Sequence, residues 1–486
     1  MIEKIISISN VGSFSEYKPN AKYNWNGHFS KINLIHAANG SGKTTLATIF
    51  NSLSNTNPQL LTLKQTINKS EAPNIKLKYS DFSNLTEYDG KKWNNNVKNI
   101  LVFDIHFIED YLFLSSISNE KNTKKLMSLI LGVAGSNLKN RFSKLKKNEK
   151  SLSHHLNILE KKGKPNLKIG ILQNNLEQNL KAQNKTLQDF KDISLPIFEN
   201  YVNTTNKYLS RFTNNIKMKS LYTPSTKFPE SIFNLNLVLE ISGKPLRFKQ
   251  PDYSKKEGNV KFALSEGDKN AVALSFFLAM SEILGVNDKV IVFDDPLSSF
   301  DHLRKTSTTN ILAKLAQESK QFILTTHDIH FAKALKEKLS FTKCLNLKIS
   351  KDGTTSFLSI HDIDFDTLNG YQKDLLTIKN YKENPIKTEE EKRKVVRCIR
   401  PILETIFKVK YHDDISYNEW LGDIIRKIRK SETNSNLYKL KSIISDIIDL
   451  NDYSKKFHHS EQDNEIVNDL ELNFFIELLE KTIIKI

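Results

Sequence analysis

Ala37-Ala38-Asn39-Gly40-Ser41-Gly42-Lys43-Thr44-Thr45 lies between Lys31 to Ala37, which reads as a strand, and a segment that reads as a helix from Lys43 onward. A glycine-containing loop between a strand and a helix is the context a phosphate-binding loop requires. Gly40 and Gly42 let backbone N–H groups wrap a phosphate, and the start of the helix adds positive potential. Lys43 is placed to reach the β- and γ-phosphates, and the Thr44 hydroxyl to hold Mg²⁺. Asn39, Ser41 and Thr45 complete the expected nucleotide-binding set. Ala37 stands where the motif usually has its first glycine, a change that costs little if the position needs no positive φ.

Four more elements follow in order. Val290 to Phe293 is an apolar strand that delivers Asp294 and Asp295 to its C-terminal end, where open α/β sheets bind ligands. Asp294 is expected to hold Mg²⁺, directly or through a bound water, and Asp295 is placed to orient or deprotonate the attacking water. Leu264-Ser265-Glu266-Gly267-Asp268-Lys269, ahead of an apolar helix, resembles the signature of ABC ATPases. That resemblance implies that Ser265 and Gly267 grip a γ-phosphate held by another subunit. Ser298-Ser299-Phe300-Asp301 resembles the D-loop that crosses the dimer seam, and Thr325-Thr326-His327-Asp328 ends a strand with a histidine suited to sense the γ-phosphate. No glutamine marks the Q-loop; Phe103-Asp104-Ile105-His106-Phe107 falls in its region. A lone histidine or a strand ending in aspartate is common in structural roles, so the weight lies in the five motifs in sequence. The phosphate loop and the signature lie about 220 residues apart, an insertion that resembles the SMC/RecF class of these ATPases. The resemblance implies ATP or GTP with Mg²⁺ as cofactors and a homodimer or higher homo-oligomer formed through the heads.

Around these motifs the chain divides by pattern. Strand-like runs at 2–8, 31–37, 73–80 and 100–103 precede a change near residue 124. Between 136 and 220 apolar positions recur at helical spacing, as in Leu152, Leu156, Leu159 and then Leu172, Leu176, Leu180. Gly163-Lys164-Pro165 is the expected turn between two antiparallel helices, which predicts a stubby arm. Alternating strands and helices return from 235 to 361, and strand signals vanish after 363. The expected fold is an α/β ABC-type ATPase head with a mixed sheet and a phosphate loop, interrupted by a short helical or coiled-coil arm, plus a C-terminal all-α domain. The expected boundaries are 1–125 and 233–363 for the two lobes of the head, 126–232 for the arm and 364–486 for the helical region.

Composition narrows the classes further. Hydrophobic residues make up 38% and mean hydropathy is -0.44, with no apolar stretch near the ~18 residues that span a bilayer. With no basic start and apolar core at the N-terminus, a cytoplasmic protein without membrane contact is expected. Two isolated cysteines, Cys344 and Cys398, argue against a disulfide scaffold or a cysteine zinc site. The net charge is +17, and residues 131–220 hold 17 Lys/Arg against 6 Asp/Glu, while 361–486 hold 21 against 24. A basic central stripe suits a polyanion such as tRNA or DNA, and equally suits a solvated helical face in a lysine-rich chain.

In the C-terminal region, Arg400 and Glu404 lie one turn apart on an expected helix, with Pro401 placed in its first turn, and the tandem His458-His459 comes later. As residue types, Arg400 and Glu404 also fit an ordinary i,i+4 surface pair worth roughly 0.3–0.5 kcal/mol. The Ala-x-Asn-Gly-Ser-Gly-Lys-Thr loop, the segment from Phe103 to Asp110, Leu264-Ser265-Glu266-Gly267, Asp294-Asp295-Pro296 and Arg400-x-x-x-Glu404 with the later histidines together resemble the bacterial anticodon nucleases PrrC and RloC. That resemblance implies an NTP-driven head that controls a HEPN-like C-terminal RNase cutting tRNA in anti-phage defence. Arg400, Glu404 and His458 or His459 would be its metal-independent triad. The gap from glutamate to histidine is longer than in the short form of that family, and the arm holds no zinc-hook cysteines. Two other readings remain: a sensor ATPase that regulates a separate effector or inhibitor protein, and a DNA-repair ATPase of the SMC/RecF type.

Overall fold

The computed structural model describes residues 1–55, 59–112, 119–161, 166–220, 238–247, 260–297, 299–339, 342–384, 388–457 and 466–486. They form two compact units, Met1–His361 and Asp362–Ile486. The architecture of a mixed α/β head interrupted by helices and followed by a helical C-terminal region is the one expected.

The first unit contains three sheets. An antiparallel sheet joins β1 (Ile2–Val11), β2 (Phe14–Tyr17), β4 (Asn74–Tyr79) and β5 (Thr86–Tyr88) in the order β2-β1-β4-β5. A six-stranded sheet runs β13-β12-β3-β11-β10-β6, with β3 at Ile32–His36, β6 at Ile100–Phe103, β10 at Val290–Asp294, β11 at Gln321–Thr326, β12 at Cys344–Asp352 and β13 at Thr355–Ile360. All of its pairings are parallel except the β12–β13 hairpin. Val290 to Phe293 in β10 and Ile100 to Phe103 in the edge strand β6 read as unbroken apolar runs, because both faces of the parallel sheet are covered. A small antiparallel sheet joins β7 (Ile216–Ser220), β8 (Val238–Ile241) and β9 (Lys244–Arg247).

Two long helices, Asn119–Lys161 and Asn166–Leu209, pack against each other. At 43 and 44 residues each is about 65 Å long, so the arm is not the stubby one expected. Leucine spacing alone understates it, because polar side chains also join the two helices. Gln183 Nε2 donates to Glu149 Oε2 at 3.0 Å and to Asn179 Oδ1 at 2.7 Å. The first helix begins before the expected boundary at 126, and Gly163-Lys164-Pro165 and residue 232 lie outside the described residues.

An aromatic cluster fixes the helix Glu266–Leu284 on the parallel sheet. Phe277 from that helix meets Phe103 at 5.5 Å, Phe107 at 5.2 Å and Phe293 at 5.2 Å between ring centroids, all edge-to-face. Such pairs contribute about 0.5–1.5 kcal/mol each beyond area burial. They hold the helix that starts at the signature in register with the strand that ends at Asp294.

The second unit is all helical, built on Gly370–Glu383, Glu389–Lys410, Leu421–Lys430, Ile444–Lys455 and Asp469–Lys485 around a core that includes Ile399, Leu403, Ile424, Ile447 and Leu472. Thr388 and Glu391 form a capping box at the start of the second helix. Pro401 lies in the middle of that helix, not in its first turn. The capping signal at Thr388 sets the start twelve residues upstream of Arg400, and the buried face of the helix outweighs the hydrogen bond that proline removes.

Candidate functional site

Strand order brings the predicted nucleotide residues together. β11 lies between β3 and β10, with His36 opposite Thr326 and Asp294 opposite Thr325. The C-terminal ends of three adjacent parallel strands therefore deliver the loop 37–42, His327 and the Asp294-Asp295 pair to one edge. The helix Lys43–Asn55 leaves that edge and packs on β6 and β10.

The loop is braced from several sides. Ala37 N donates to Thr326 O at 3.0 Å, and Ser41 O accepts from Ser356 Oγ on β13 at 2.7 Å. Gly40 has φ +76° and Gly42 φ +113°, backbone conformations that disfavour side chains. A Cβ on Gly42 would lie 2.5 Å from Ser13 Oγ and 2.9 Å from Phe14 Cε2, so the loop is pressed against the β1–β2 turn. Ala37 is fully buried and is not among the positive-φ residues, in line with its tolerance at that position. Lys43 Nζ donates to Ala37 O at 2.9 Å, Ala38 O at 3.2 Å and Asn39 Oδ1 at 3.2 Å, which holds the ammonium across the loop. Thr45 is buried, and its Oγ1 closes on the space a Cβ at Gly12 would take.

Carboxylates gather at the ends of β10 and β6. Asp294 accepts from Thr325 Oγ1 at 2.6 Å and from the Thr44 side chain. Burial, with the nearby charges of Asp104 and Asp295, lifts its pKa above the ordinary value against those hydrogen bonds. Asp104, fully buried, follows β6 and accepts from Phe107 N at 2.9 Å and from Asn51 Nδ2 at 2.8 Å. Lys64 Nζ donates to Thr48 Oγ1 at 3.1 Å; burial lowers its pKa, opposed by the charges of Asp294 and Asp104. A hydroxyl beside a desolvated carboxylate, with two more carboxylates near, is a hard-oxygen setting that suits Mg²⁺. No cluster of three or more acidic, histidine or cysteine side chains forms a complete metal cage among the described residues.

Asp295 has φ +50°, a left-handed conformation that is costly for an aspartate, and its N–H donates to Thr325 O at 2.9 Å. Its Oδ2 lies 2.6 Å from His327 Nδ1. The half-exposed imidazole is thus tied to the carboxylate expected to handle water.

Ser265, Gly267 and Asp301 form a second cluster. Ser265 caps the helix Glu266–Leu284, accepting from Asp268 N at 3.1 Å and donating to Asp268 Oδ2 at 2.7 Å. A Cβ on Gly267 would come within 2.8 Å of Ser299 O, so the D-loop backbone crosses directly over the signature. Asp301 caps the next helix, His302–Glu318, through Arg304 N at 2.9 Å. Arg304 then reaches back: Nη2 to Asp268 Oδ1 at 2.7 Å, and Nε to Phe212 O at 3.0 Å, just past the end of the arm. Lys305 Nζ bonds Asp328 Oδ2 at 2.7 Å, which links this helix to the residue after His327.

In the second unit Arg400 Nε donates to Glu404 Oε1 at 2.9 Å, and the same oxygen accepts from Leu421 N at 2.8 Å. Glu404 is buried, so the pair is not the exposed surface pair of the bland expectation. His458 and His459 lie outside the described residues.

Sequence reading passed over Asn51, Lys64, Arg304 and Ser356, and gave Asp268 and Thr325 a place in a motif but no role of their own. Asp104 gave a signal of the same kind as Asp294, an aspartate closing an apolar strand. Arg304 gave none beyond its place three residues after Asp301.

Comparison with known proteins places this geometry in context. A family model described as an AAA domain matches residues 226–463. A putative ABC transporter ATP-binding protein of Pyrococcus furiosus is 32% identical over 78 residues, 16% of this chain and 28% of that protein. An uncharacterized ABC transporter ATP-binding protein of Methanocaldococcus jannaschii is 27% identical over 133 residues, 26% of this chain and 43% of that protein. The chain thus spans less than half the length of these curated relatives. Among solved structures, the Smc head domain with an extended coiled coil bound to the C-terminal domain of ScpA, from Pyrococcus furiosus, aligns with 78% of this chain and 99% of its own at TM-score 0.44 and 16% identity.

Proposed function

We infer that this chain, whose head is of the ABC/SMC-like ATPase type, binds and hydrolyses a nucleoside triphosphate between two copies of itself. The observation that carries this is the adjacency of β3, β11 and β10, which sets Lys43, Thr44, Asp294, Asp295 and His327 along one sheet edge. Thr44 and Asp294 would hold Mg²⁺, which neutralises charge on the β- and γ-phosphate oxygens when bound. Gly40, Ser41 and Gly42 wrap the phosphates with backbone N–H groups, and Lys43 exchanges its loop carbonyls for phosphate oxygens. Asp295 orients the water or takes its proton. The His327 contact through Nδ1 leaves Nε2 to meet the γ-phosphate, so loss of that group is felt at Asp295. Ser265 and Gly267 of the partner copy close over the same phosphate, which makes the γ-phosphate the differential ligand of closed and open states. ATP or GTP would serve, in a cytoplasmic homodimer or larger assembly. The test is nucleotide-dependent dimerisation by light scattering: a closed dimer with Asp295→Asn and triphosphate, and a monomer with Ser265→Arg. A monomer under every nucleotide condition refutes it.

The C-terminal unit, in this reading, is the effector: a metal-independent tRNA anticodon nuclease that the head gates during phage attack. Arg400 would stabilise the phosphorane, Glu404 and His458 or His459 would move protons. The buried Arg400–Glu404 bond supports a pre-oriented pair. Overexpressed wild type should cut tRNA and His458→Ala should not, with equal NTP hydrolysis. Intact tRNA in both defeats this reading. The second bond of Glu404, to Leu421 N, favours the alternative in which the pair is structural and the chain is a sensor for a separate effector protein.

A further inference from the structure

One loop of the C-terminal unit exposes two large rings close together in sequence. The chain has three tryptophans, and Trp25 and Trp93 are buried at 5% and 8% exposure, while Trp420 is 63% exposed. Tyr417, three residues earlier in the same loop, is 87% exposed. Burial of large rings is the ordinary outcome of folding, so two open rings in one short loop ask for a partner.

Cations surround the tryptophan. The Arg400 guanidinium carbon lies 5.6 Å from its ring centroid and Lys408 Nζ 5.9 Å. Arg400 is fixed by Glu404, and Glu404 is fixed by Leu421 N, the first residue of the helix that follows Trp420. Ring and guanidinium are therefore set relative to one another by one carboxylate. The loop itself carries Asp413, Asp414 and Glu419, and Asp423 Oδ2 accepts from Trp420 N at 3.3 Å, so the cations over the ring are the two from the preceding helix, Arg400 and Lys408.

We propose that Trp420 and Tyr417, flanked by Arg400 and Lys408, form a stacking surface for single-stranded nucleic acid. An aromatic face accepts any base, and cations near its edge take the adjoining phosphates, which is the pairing of groups that single strands need and duplexes cannot use. A duplex keeps its bases stacked inside, so it gains only the charge. The surface borders Arg400, so a strand stacked here would lay a phosphate beside the Arg400–Glu404 pair. This proposal deepens the reading of the C-terminal unit as a module that acts on RNA, and it does not depend on the nucleotide site.

The test uses the full chain without nucleotide. Because the other two tryptophans are buried, emission excited at the red edge reports mainly on Trp420. Titration with a purine-rich single-stranded RNA oligomer should quench it, while the matching duplex should quench it weakly. Anisotropy with labelled RNA gives affinities for variants. Trp420→Ala should weaken single-strand binding about tenfold or more, and Trp420→Phe should retain most of it. Lys408→Gln should shallow the salt dependence by about 0.7 in slope. Circular dichroism of Trp420→Ala matching wild type keeps a folding defect apart from a binding defect. A DNA single strand binding as well as RNA supports the surface and assigns it to either sugar; tighter RNA supports it and assigns RNA. Equal binding by Trp420→Ala, duplex binding as tight as single-strand binding, or no binding at all, as a protein-docking surface would give, overturns it. Trp420-dependent binding with uncut tRNA would defeat the nuclease reading and leave this one standing. Cleavage unchanged in Trp420→Ala would do the reverse.

Discussion

Removing the Arg304 side chain should uncouple the arm from the signature. Its guanidinium bonds Asp268 Oδ1 at 2.7 Å and Phe212 O at 3.0 Å, and the two side chains of the ion pair are 19% and 26% exposed. Buried hydrogen bonds to charged groups contribute about 1.5–3 kcal/mol each, and fully exposed pairs roughly 0–1. With about a fifth to a quarter of each side chain in water, about 1–1.5 kcal/mol apiece is the fitting estimate, so Arg304→Ala should cost about 2–3 kcal/mol locally. Because the chain folds as two units, a single unfolding midpoint is a poor measure. Hydrogen exchange is local: amides of Asp268, Lys269, Phe212 and Thr213 should open about 30- to 150-fold more often in Arg304→Ala. Asp268 supplies an internal control. Burial raises its pKa, but hydrogen bonds from Ser265 and Arg304 and the charge of Arg304 outweigh that and hold it below the ordinary carboxylate value. A depressed folded pKa means the stabilisation is complete above the unfolded value and is lost as pH falls through the folded one. Wild-type protection at 264–270, corrected for intrinsic exchange, should therefore fall on acidification below about pH 4, and the Arg304→Ala profile should be flatter. A change under threefold at both segments would refute the tie.

Three further outcomes are expected. Gly42→Ala forces a Cβ to 2.5 Å from Ser13 Oγ at φ +113°, so affinity for a fluorescent nucleotide should drop more than about tenfold; wild-type affinity would show that the loop is not pressed on that turn. Asp295→Asn should bind triphosphate within about threefold of wild type yet release phosphate about 100-fold more slowly; parallel loss of both would assign Asp295 to binding. Lys64→Met removes a cation that faces Asp294 and Asp104, so Mn²⁺ bound with nucleotide, read by paramagnetic resonance, should tighten several-fold, and weaker binding would reverse the assignment.

Local motifs were legible because their physics is local. Gly40 and Gly42 announce a tight loop with left-handed backbone, and Val290 to Phe293 announces a strand covered on both faces. The contacts that bind these pieces are not written in any one segment. Arg304 joins residues 36 and 92 positions away, and Ser356 props Ser41 from 315 positions away. The arm misled for another reason: its leucines cover only part of each helix, and a polar contact such as Gln183 to Glu149 between the helices leaves no apolar period to read. Pro401 misled because a buried face can override a local preference.

The placement of β3 has a consequence for how the protein is made. Both of its sheet neighbours, β11 and β12, are encoded far downstream, with Phe322 pairing 290 residues after Ile32. At roughly 5–20 residues per second, a nascent chain would wait about 15 to 60 seconds with Ile32, Leu34 and Ile35 unpartnered outside the ribosome. The edge that carries the proposed nucleotide site is thus among the later parts of the head to form, and chaperone capacity during synthesis should limit how much folded protein a cell obtains.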